Sequence, residues 1–217
     1  MNVGLSNLST LKSWLLAPAL LAGTDYDSQL EAIGKGVAGR IEQYCNRKLL
    51  RMTGDIFECS ADIHHVNLPR IPVERLSKIE VKWSETDGWQ DQGNVNDMVW
   101  CVASLSGLVT FPIFPGFHMA RIRFTYDGGY FFEQLEPTDM GYPTTPPVGS
   151  FPLPPELLLA WQLQCEHVWT QRDKLGLAVA TNPHSVHTRV VPSLALIDLL
   201  PDVKALLNSF IRYSMTT

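Results

Sequence analysis

The longest hydrophobic pattern in the chain predicts a helix that begins at Pro155 and runs to about Arg172. Proline suits the first position of a helix because its missing N–H leaves no bond unmade, and Glu156 then adds negative charge where the helix dipole favours it. Apolar side chains form a wide stripe after this point: Leu157, Leu158, Leu159, Trp161, Leu163, Cys165, Val168 and Trp169. The clearly polar positions are Gln162, Gln164, Glu166 and Gln171. A helix with so little polar surface is expected to be wrapped by other elements.

Three further helices are predicted. Ser9 or Thr10 can cap a short first helix, and Asp27 or Ser28 can cap a longer amphipathic one. The apolar stripe of the longer helix contains Leu30, Ile33, Val37, Ile41, Tyr44 and Cys45. A last helix is expected to start near Pro201. It carries Val203, Leu206, Leu207, Phe210 and Ile211 on its apolar side and Arg212 in its last turn.

The longer helix contains Gly34, Gly36 and Gly39, which are unusual in a helix interior. Each costs about 1 kcal/mol of helix propensity relative to alanine. Close approach of another helix backbone would explain them, and simple tolerance would explain them nearly as well.

From Met52 onward the hydrophobic period changes to two, which predicts strands. The predicted strands cover residues 56–59, 63–68, 79–83, 98–102, 107–111 and 120–126. Turn residues separate them, and no helical pattern lies between them. Short strands in this arrangement indicate an antiparallel sheet or a small barrel.

The order of these elements predicts an α+β fold. In it, a helical bundle is formed by the N- and C-terminal helices, with an intervening antiparallel β subdomain. The expected divisions are N-terminal helices over residues 1–51, the β subdomain over 52–130, a proline-rich loop over 131–153, and C-terminal helices over 154–217 that complete the bundle. One compact unit is expected.

Composition narrows the class of protein. The 217 residues are 45% hydrophobic, enough for a sizeable core, and the net charge of −5 argues against a free-standing DNA binder. The four cysteines, Cys45, Cys59, Cys101 and Cys165, are widely spaced, so buried free thiols are favoured over disulfides or zinc. Residues 14–22 make a poor signal peptide because Pro18 divides the apolar run. A soluble, cytosolic chain that does not span a membrane is expected.

The sequence gives only weak evidence for a catalytic site. His64 and His65 are adjacent in a predicted strand, so they point to opposite faces and cannot both bind one ion without a bulge. Asp62 and His64 share a face, but no nucleophile accompanies them. We therefore assign no catalytic, metal-binding or cofactor-binding residue and expect no enzyme activity. Two alternatives stay open: a small metal-dependent hydrolase that uses Asp62 and His64, and a sugar- or peptide-binding β module that exposes Trp83, Trp89 and Trp100.

Several short stretches, taken in order, carry a family resemblance. They are residues 8–16, 25–30, 41–49, 66–73, 79–81, 124–130, 153–157 and 169–176. They include the Leu-Pro-Arg-Ile-Pro run from Leu68 to Pro72 and the Tyr-Asp-Gly-Gly-Tyr run from Tyr126 to Tyr130. In order and spacing these stretches resemble the connector, or adaptor, proteins of tailed bacteriophages, which are also described as head completion proteins.

The resemblance implies a structural virion protein without an active site. Such a chain would form a ring, dodecameric in the family, beneath the portal protein. It would link the DNA-filled head to the tail and continue the channel used for DNA ejection. The implied partners are the portal and a tail, stopper or tail-completion protein, and DNA would pass through without specific binding. The implied location is the virion neck, after synthesis in the host cytoplasm.

Two sets of surface residues are the candidate sites. The apolar face of the last helix is larger than such a short helix needs for packing within its own chain. Contacts with a neighbouring subunit or the portal are therefore expected from Phe210, Ile211, Tyr213 and Met215. Carboxylates in the strand-connecting loops are candidates for the channel lining: Glu85, Asp87, Asp91 and Asp97. The alternative for this second set, that they are ordinary solvated turn carboxylates, stays open.

Overall fold

The computed structural model of the chain describes residues 3–60, 63, 65–84, 86–93, 95, 99, 101–111, 121–132, 145–172 and 198–212. Helices and antiparallel sheets are both present, in the order helices, strands, helices, so the predicted α+β class is confirmed. Among these residues no helix is both long and apolar enough to cross a membrane.

The chain folds into two compact units. The first, here called the helical unit, contains Met1–Cys45, Phe132–Thr145 and Leu153–Ile211. The second, here called the β unit, contains Asn46–Phe131, Pro146–Pro152 and Arg212–Thr217. Helices from both ends of the sequence therefore belong to one unit, and the strands between them belong to the other.

The helical unit contains four α-helices within the described residues. They are α1 (Leu8–Leu15), α2 (Asp27–Cys45), α3 (Pro155–Thr170) and α4 (Pro201–Leu207). A 3-10 turn, Pro18–Leu20, follows α1, and another, Asn208–Phe210, follows α4. Helices α3 and α4 both begin with proline at the first position, as the sequence predicts.

The cap of α1 differs from the predicted one. Asn7, rather than Ser9 or Thr10, is the capping residue, and its Oδ1 accepts a hydrogen bond from the backbone N–H of Thr10 at 2.8 Å. Ser9 instead donates its hydroxyl to the same oxygen at 2.9 Å. The helix therefore starts at Leu8, one residue before the earlier of the two predicted caps.

Trp161 lies at the centre of the helical unit and is fully buried. Its indole Nε1 donates to the carbonyl oxygen of Gly34 at 2.9 Å. A Cβ atom at Gly34 would lie 2.2 Å from the carbonyl oxygen of Val3, so only glycine fits there. Close approach thus explains Gly34, although the approaching backbone precedes α1 and is not itself helical. Gly39 has nothing within 4 Å of an added Cβ, which fits simple tolerance.

A buried glutamine connects α3 to the segment before α4. Gln164 appears in the sequence as a polar position of α3, yet it is buried. Its Nε2 donates to the carbonyl oxygen of Asp198 at 3.3 Å, and its Oε1 accepts from the N–H of Leu200 at 2.9 Å. Both polar ends of the side chain are satisfied, as burial requires.

The β unit contains two antiparallel sheets within the described residues. The first has the strand order β1 (Met52–Ser60), β7 (Arg121–Gly128), β3 (Val73–Lys82) and β4 (Gln90–Asp91). The second has the order β2 (His65–Asn67), β6 (Leu108–Thr110) and β5 (Cys101–Ala103). A short parallel pair joins β8 (Tyr130–Phe131) to β9 (Phe151–Pro152). The antiparallel pairing is confirmed, while β4, β8 and β9 were not predicted.

One face of the four-stranded sheet packs into the core of the β unit. The buried core residues are Val66, Leu68, Ile71, Val73, Leu76, Ile79, Val81, Val109, Phe111, Ile122, Phe124 and Tyr126. Burial is the main cause that raises the pKa of Tyr126, whose hydroxyl also lies 3.3 Å from Asp55 Oδ2. The opposite face of this sheet carries charged side chains and is described below.

Candidate assembly surfaces

The C-terminal end of the described chain carries two of the predicted interface residues. Phe210 closes the 3-10 turn after α4, and Ile211 follows it. Both are half-buried, so part of their apolar surface remains exposed in the single chain. The other two predicted residues, Tyr213 and Met215, lie outside the described residues.

Arg212 follows directly and differs from its prediction. The sequence suggested a position in the last helical turn, but the helix ends before it. Its guanidinium instead donates through Nη1 to the carbonyl oxygen of Leu68 at 3.1 Å and through Nη2 to that of Asn67 at 2.9 Å. Burial lowers the pKa of Arg212, although an arginine with a lowered pKa still remains charged near neutrality.

A charged row crosses the exposed face of the four-stranded sheet. Strand register aligns Glu58, Arg123, Glu80 and Asp91 on neighbouring strands. Arg123 Nη2 lies 2.7 Å from a carboxylate oxygen of Glu58, and Lys78 Nζ lies 2.8 Å from Glu80. The hydrogen bond to Glu80 is the main cause that raises the pKa of Lys78. Positive and negative groups are therefore mixed on this face.

The predicted channel carboxylates are only partly described. Asp87 is exposed, and its backbone N–H donates to Ser84 O at 3.2 Å in a turn. Asp91 is exposed on β4; one carboxylate oxygen accepts from Gly93 N at 2.9 Å, and the other lies 3.5 Å from Lys78 Nζ. Glu85 and Asp97 lie outside the described residues. Both described carboxylates are thus accessible, and Asp91 also stabilises a local turn.

The residues behind the two alternative functions are largely occupied or outside the described part. Arg123 covers the ring of Trp89, with its guanidinium carbon 4.0 Å from the ring centroid. Trp83 Nε1 donates to the side chain of Gln90 at 3.1 Å. Trp100, Asp62 and His64 lie outside the described residues. Within the described ranges, no group of three His, Cys, Asp or Glu side chains could hold a metal ion.

An exposed apolar segment in the helical unit is a surface that the sequence interpretation did not identify. Every residue from Ala17 to Asp25 is exposed, and Trp14 and Leu20 each retain 45% of their accessible surface. On α3, Leu159 retains 40%, so the expectation that this helix is fully wrapped fails at that position. Exposed apolar patches commonly mark protein interfaces. The sequence signal for this surface is the apolar run around Pro18.

Comparisons with known proteins give similarity in structure alone. No protein-family model matches the sequence, and no curated protein is significantly similar to it. The fold is similar to a chain in the neck of an empty gene transfer agent particle computed with C6 symmetry, with a TM-score of 0.56 and 12% identity. It is also similar to a chain in the virion of the native particle (TM-score 0.55, 13% identity) and to one in the native neck computed with C12 symmetry (0.51, 11%). Each match covers 96% of this chain and 90% of the other. The resemblance found in the sequence is thereby confirmed at the level of the fold.

Proposed function

We propose that this chain is a structural neck protein of a tailed, phage-like particle, an adaptor that links the DNA-filled head to the tail. The observation that supports this most is the likeness to gene transfer agent neck chains over 96% of this chain and 90% of theirs. The chain would lie at the head-tail junction and act through assembly contacts.

The subunits would form a ring beneath the portal. The two similar necks were computed with C6 and C12 symmetry, which is consistent with a dodecamer. Each subunit of a closed cyclic ring needs two different, complementary faces. The exposed apolar segment with Trp14 and Leu20 and the exposed Leu159 on α3 are apolar surfaces in the helical unit that assembly could bury. The portal would bind one side of the ring, and a tail, stopper or tail-completion protein would bind the other.

Native mass spectrometry of the full-length protein, alone and mixed with the portal of the same particle, tests this proposal. We expect a twelve-subunit ring, at the latest when the portal is present. Particles that lack this chain should contain filled heads without tails. A chain that stays monomeric in both samples, together with tailed particles assembled in its absence, would exclude the neck function.

The C-terminal end is the proposed contact with a neighbouring subunit or the portal. Deletion of residues 208–217 should leave a folded protein that no longer joins heads to tails. This deletion also removes Arg212 and the hydrogen bond from Tyr44 to Asn208 at 3.3 Å. A chain that ends at Arg212 keeps both of these intrachain contacts and loses only Tyr213, Met215 and their neighbours. It therefore separates the loss of the proposed assembly contacts from the loss of the contacts within the chain. Complete infectious particles formed by the longer deletion would contradict this assignment.

The channel lining is proposed to include Asp87 and Asp91, with Glu85 and Asp97 from the same loops. DNA must slide through the ring, and basic groups facing the lumen would bind phosphate through counterion release in every subunit. Replacing Asp87 and Asp91 with lysine should give normal assembly and slower DNA ejection, most strongly at low salt. The matched control with the same change of charge is Asp202→Lys with Glu166→Lys, two exposed positions in the helical unit. If the lysine variant and the unchanged protein eject DNA at equal rates at all salt concentrations, these residues are ordinary solvated turn carboxylates and do not line the channel.

A further inference from the structure

Arg212 is bound to the backbone of a distant part of the chain. Its guanidinium binds two successive carbonyl oxygens, Leu68 O at 3.1 Å and Asn67 O at 2.9 Å, and no charged side chain is involved in either bond. The acceptors are 144 and 145 residues away in sequence. The planar fork of arginine can reach two adjacent acceptors at once.

The two acceptor carbonyls belong to backbone that is held by strand pairing and burial in the β unit. Asn67 is the last residue of β2 and pairs with Leu108 of β6. Leu68 follows it, is fully buried, and donates its own N–H to Gly107 O at 2.9 Å. Strand β2 is at the edge of its sheet within the described residues. The guanidinium thus attaches to backbone that packing and pairing already hold in place.

A second bond holds the main chain of the same residue. The side-chain amide of Asn46 donates to the carbonyl oxygen of Arg212 at 3.4 Å. Asn46 directly follows α2 and has a φ of 52°, the left-handed conformation that asparagine and glycine adopt after helices. The side chain and the backbone of Arg212 are therefore both bound within the β unit.

We propose that Arg212 is an anchor that fastens the C-terminal end of the chain to the β unit and fixes the point from which residues 213–217 begin. These five residues include Tyr213 and Met215, two of the proposed assembly contacts. A fixed starting point lowers the conformational entropy that an end segment loses on binding a partner. This functional role rests on the proposed neck function, whereas the anchoring itself belongs to the single chain.

Trypsin tests the anchor in the full-length protein. The bond after residue 212 is a tryptic site, and cleavage there requires the basic side chain to leave its carbonyl acceptors. Arg212→Lys keeps the positive charge and a side chain that trypsin accepts, but a compact ammonium group cannot replace the fork. Release of residues 213–217, timed by mass spectrometry, should be at least about tenfold faster in Arg212→Lys than in the unchanged protein.

Two further variants make the result specific. Ser209→Ala changes an exposed residue in the same turn and should release the peptide at the original rate. Asn46→Gly keeps the left-handed conformation and removes only the second bond, so release should rise by less than in Arg212→Lys. A larger rise with Asn46→Gly would make Asn46 the anchor and overturn the assignment.

Two outcomes with Arg212→Lys would also overturn the proposal. One is an equal rate of release with and without the substitution. The other is a parallel increase in cleavage throughout the β unit with a lower melting temperature, because Arg212 would then support general stability. The assay needs neither ring nor portal, so its outcome and that of the neck assembly experiments can be told apart.

Discussion

The helical unit and the β unit bury polar groups in different ways. In the helical unit, neutral side chains bind main-chain groups: Trp161 donates to Gly34 O, and Gln164 binds Asp198 O and Leu200 N. In the β unit, Arg51 and Glu74 form a two-pronged ion pair at 2.8 and 2.9 Å, with only 5% and 6% of their side chains exposed. Loss of one partner therefore has different consequences in the two units.

The difference lies in what remains after a substitution. Removing a neutral donor leaves a cavity and a carbonyl oxygen with one hydrogen bond fewer, and the cost follows the lost volume. Removing one member of a buried ion pair leaves an uncompensated charge, whereas replacing both by apolar residues is often nearly neutral. Shape is thus the main requirement in the helical unit, and charge balance is an additional requirement in the β unit.

The largest expected effect tests the packing of the helical unit. Trp161→Ala should lower the free energy of unfolding by about 3–5 kcal/mol because it opens a large cavity and removes the hydrogen bond from the indole to Gly34 O. Urea unfolding with hydrogen exchange measures the loss and locates it. Leu159→Ala, at a partly exposed position of the same helix, is the control and should cost far less. Equal loss of protection in the β unit would mean that the two units unfold together.

The next effect tests charge balance in the β unit. Arg51→Met should destabilise the protein by about 3 kcal/mol because Glu74 would stay buried without a partner. The double variant with Glu74→Leu should recover most of that loss, and a double-mutant cycle from urea unfolding measures it. If the double variant is less stable than Arg51→Met alone, charge balance is not the requirement that distinguishes the β unit from the helical unit.

A smaller effect tests the close approach at Gly34. Gly34→Ala should cost about 1–3 kcal/mol because its Cβ would collide with Val3 O. Gly39→Ala lies on the same helix with open space around it and should stabilise the protein by up to about 1 kcal/mol. Opposite signs in thermal unfolding would support the packing argument, and equal signs would contradict it.

The smallest effect concerns an exposed ion pair of the helical unit. The hydrogen bond from Lys204 is the first cause that lowers the pKa of Asp198 from its usual 3.8. A carboxyl group whose pKa is lowered by folding stabilises the protein at pH values above its usual pKa. This stability is lost as the pH falls through the lowered pKa. Below about pH 4, the melting temperature of Asp198→Asn should therefore depend less on pH than that of the unchanged protein. The Asp198 side chain is 76% exposed, so salt should screen the difference, and a difference that persists in high salt would count against this origin.

Local patterns predicted most of the helices because their causes lie within a few residues. Proline at the first position and apolar spacing indicated where α3 and α4 begin, and both were confirmed. The cap of α1 was missed because Asn7, Ser9 and Thr10 can all cap a helix, and only backbone conformation selects among them. Strands β8 and β9 were missed because two-residue strands are created by pairing and not by local preference.

The candidate sites divide in the same way. The sequence by itself determined the α+β class, the apolar character of Phe210 and Ile211, and the net charge of −5. It could not determine the acceptors of Arg212, the burial of Gln164, or the mixed charges beside Asp91. Each of these depends on groups brought together from distant parts of the chain. Periodicity reports which face of an element is apolar, but only the packed structure decides which polar groups meet.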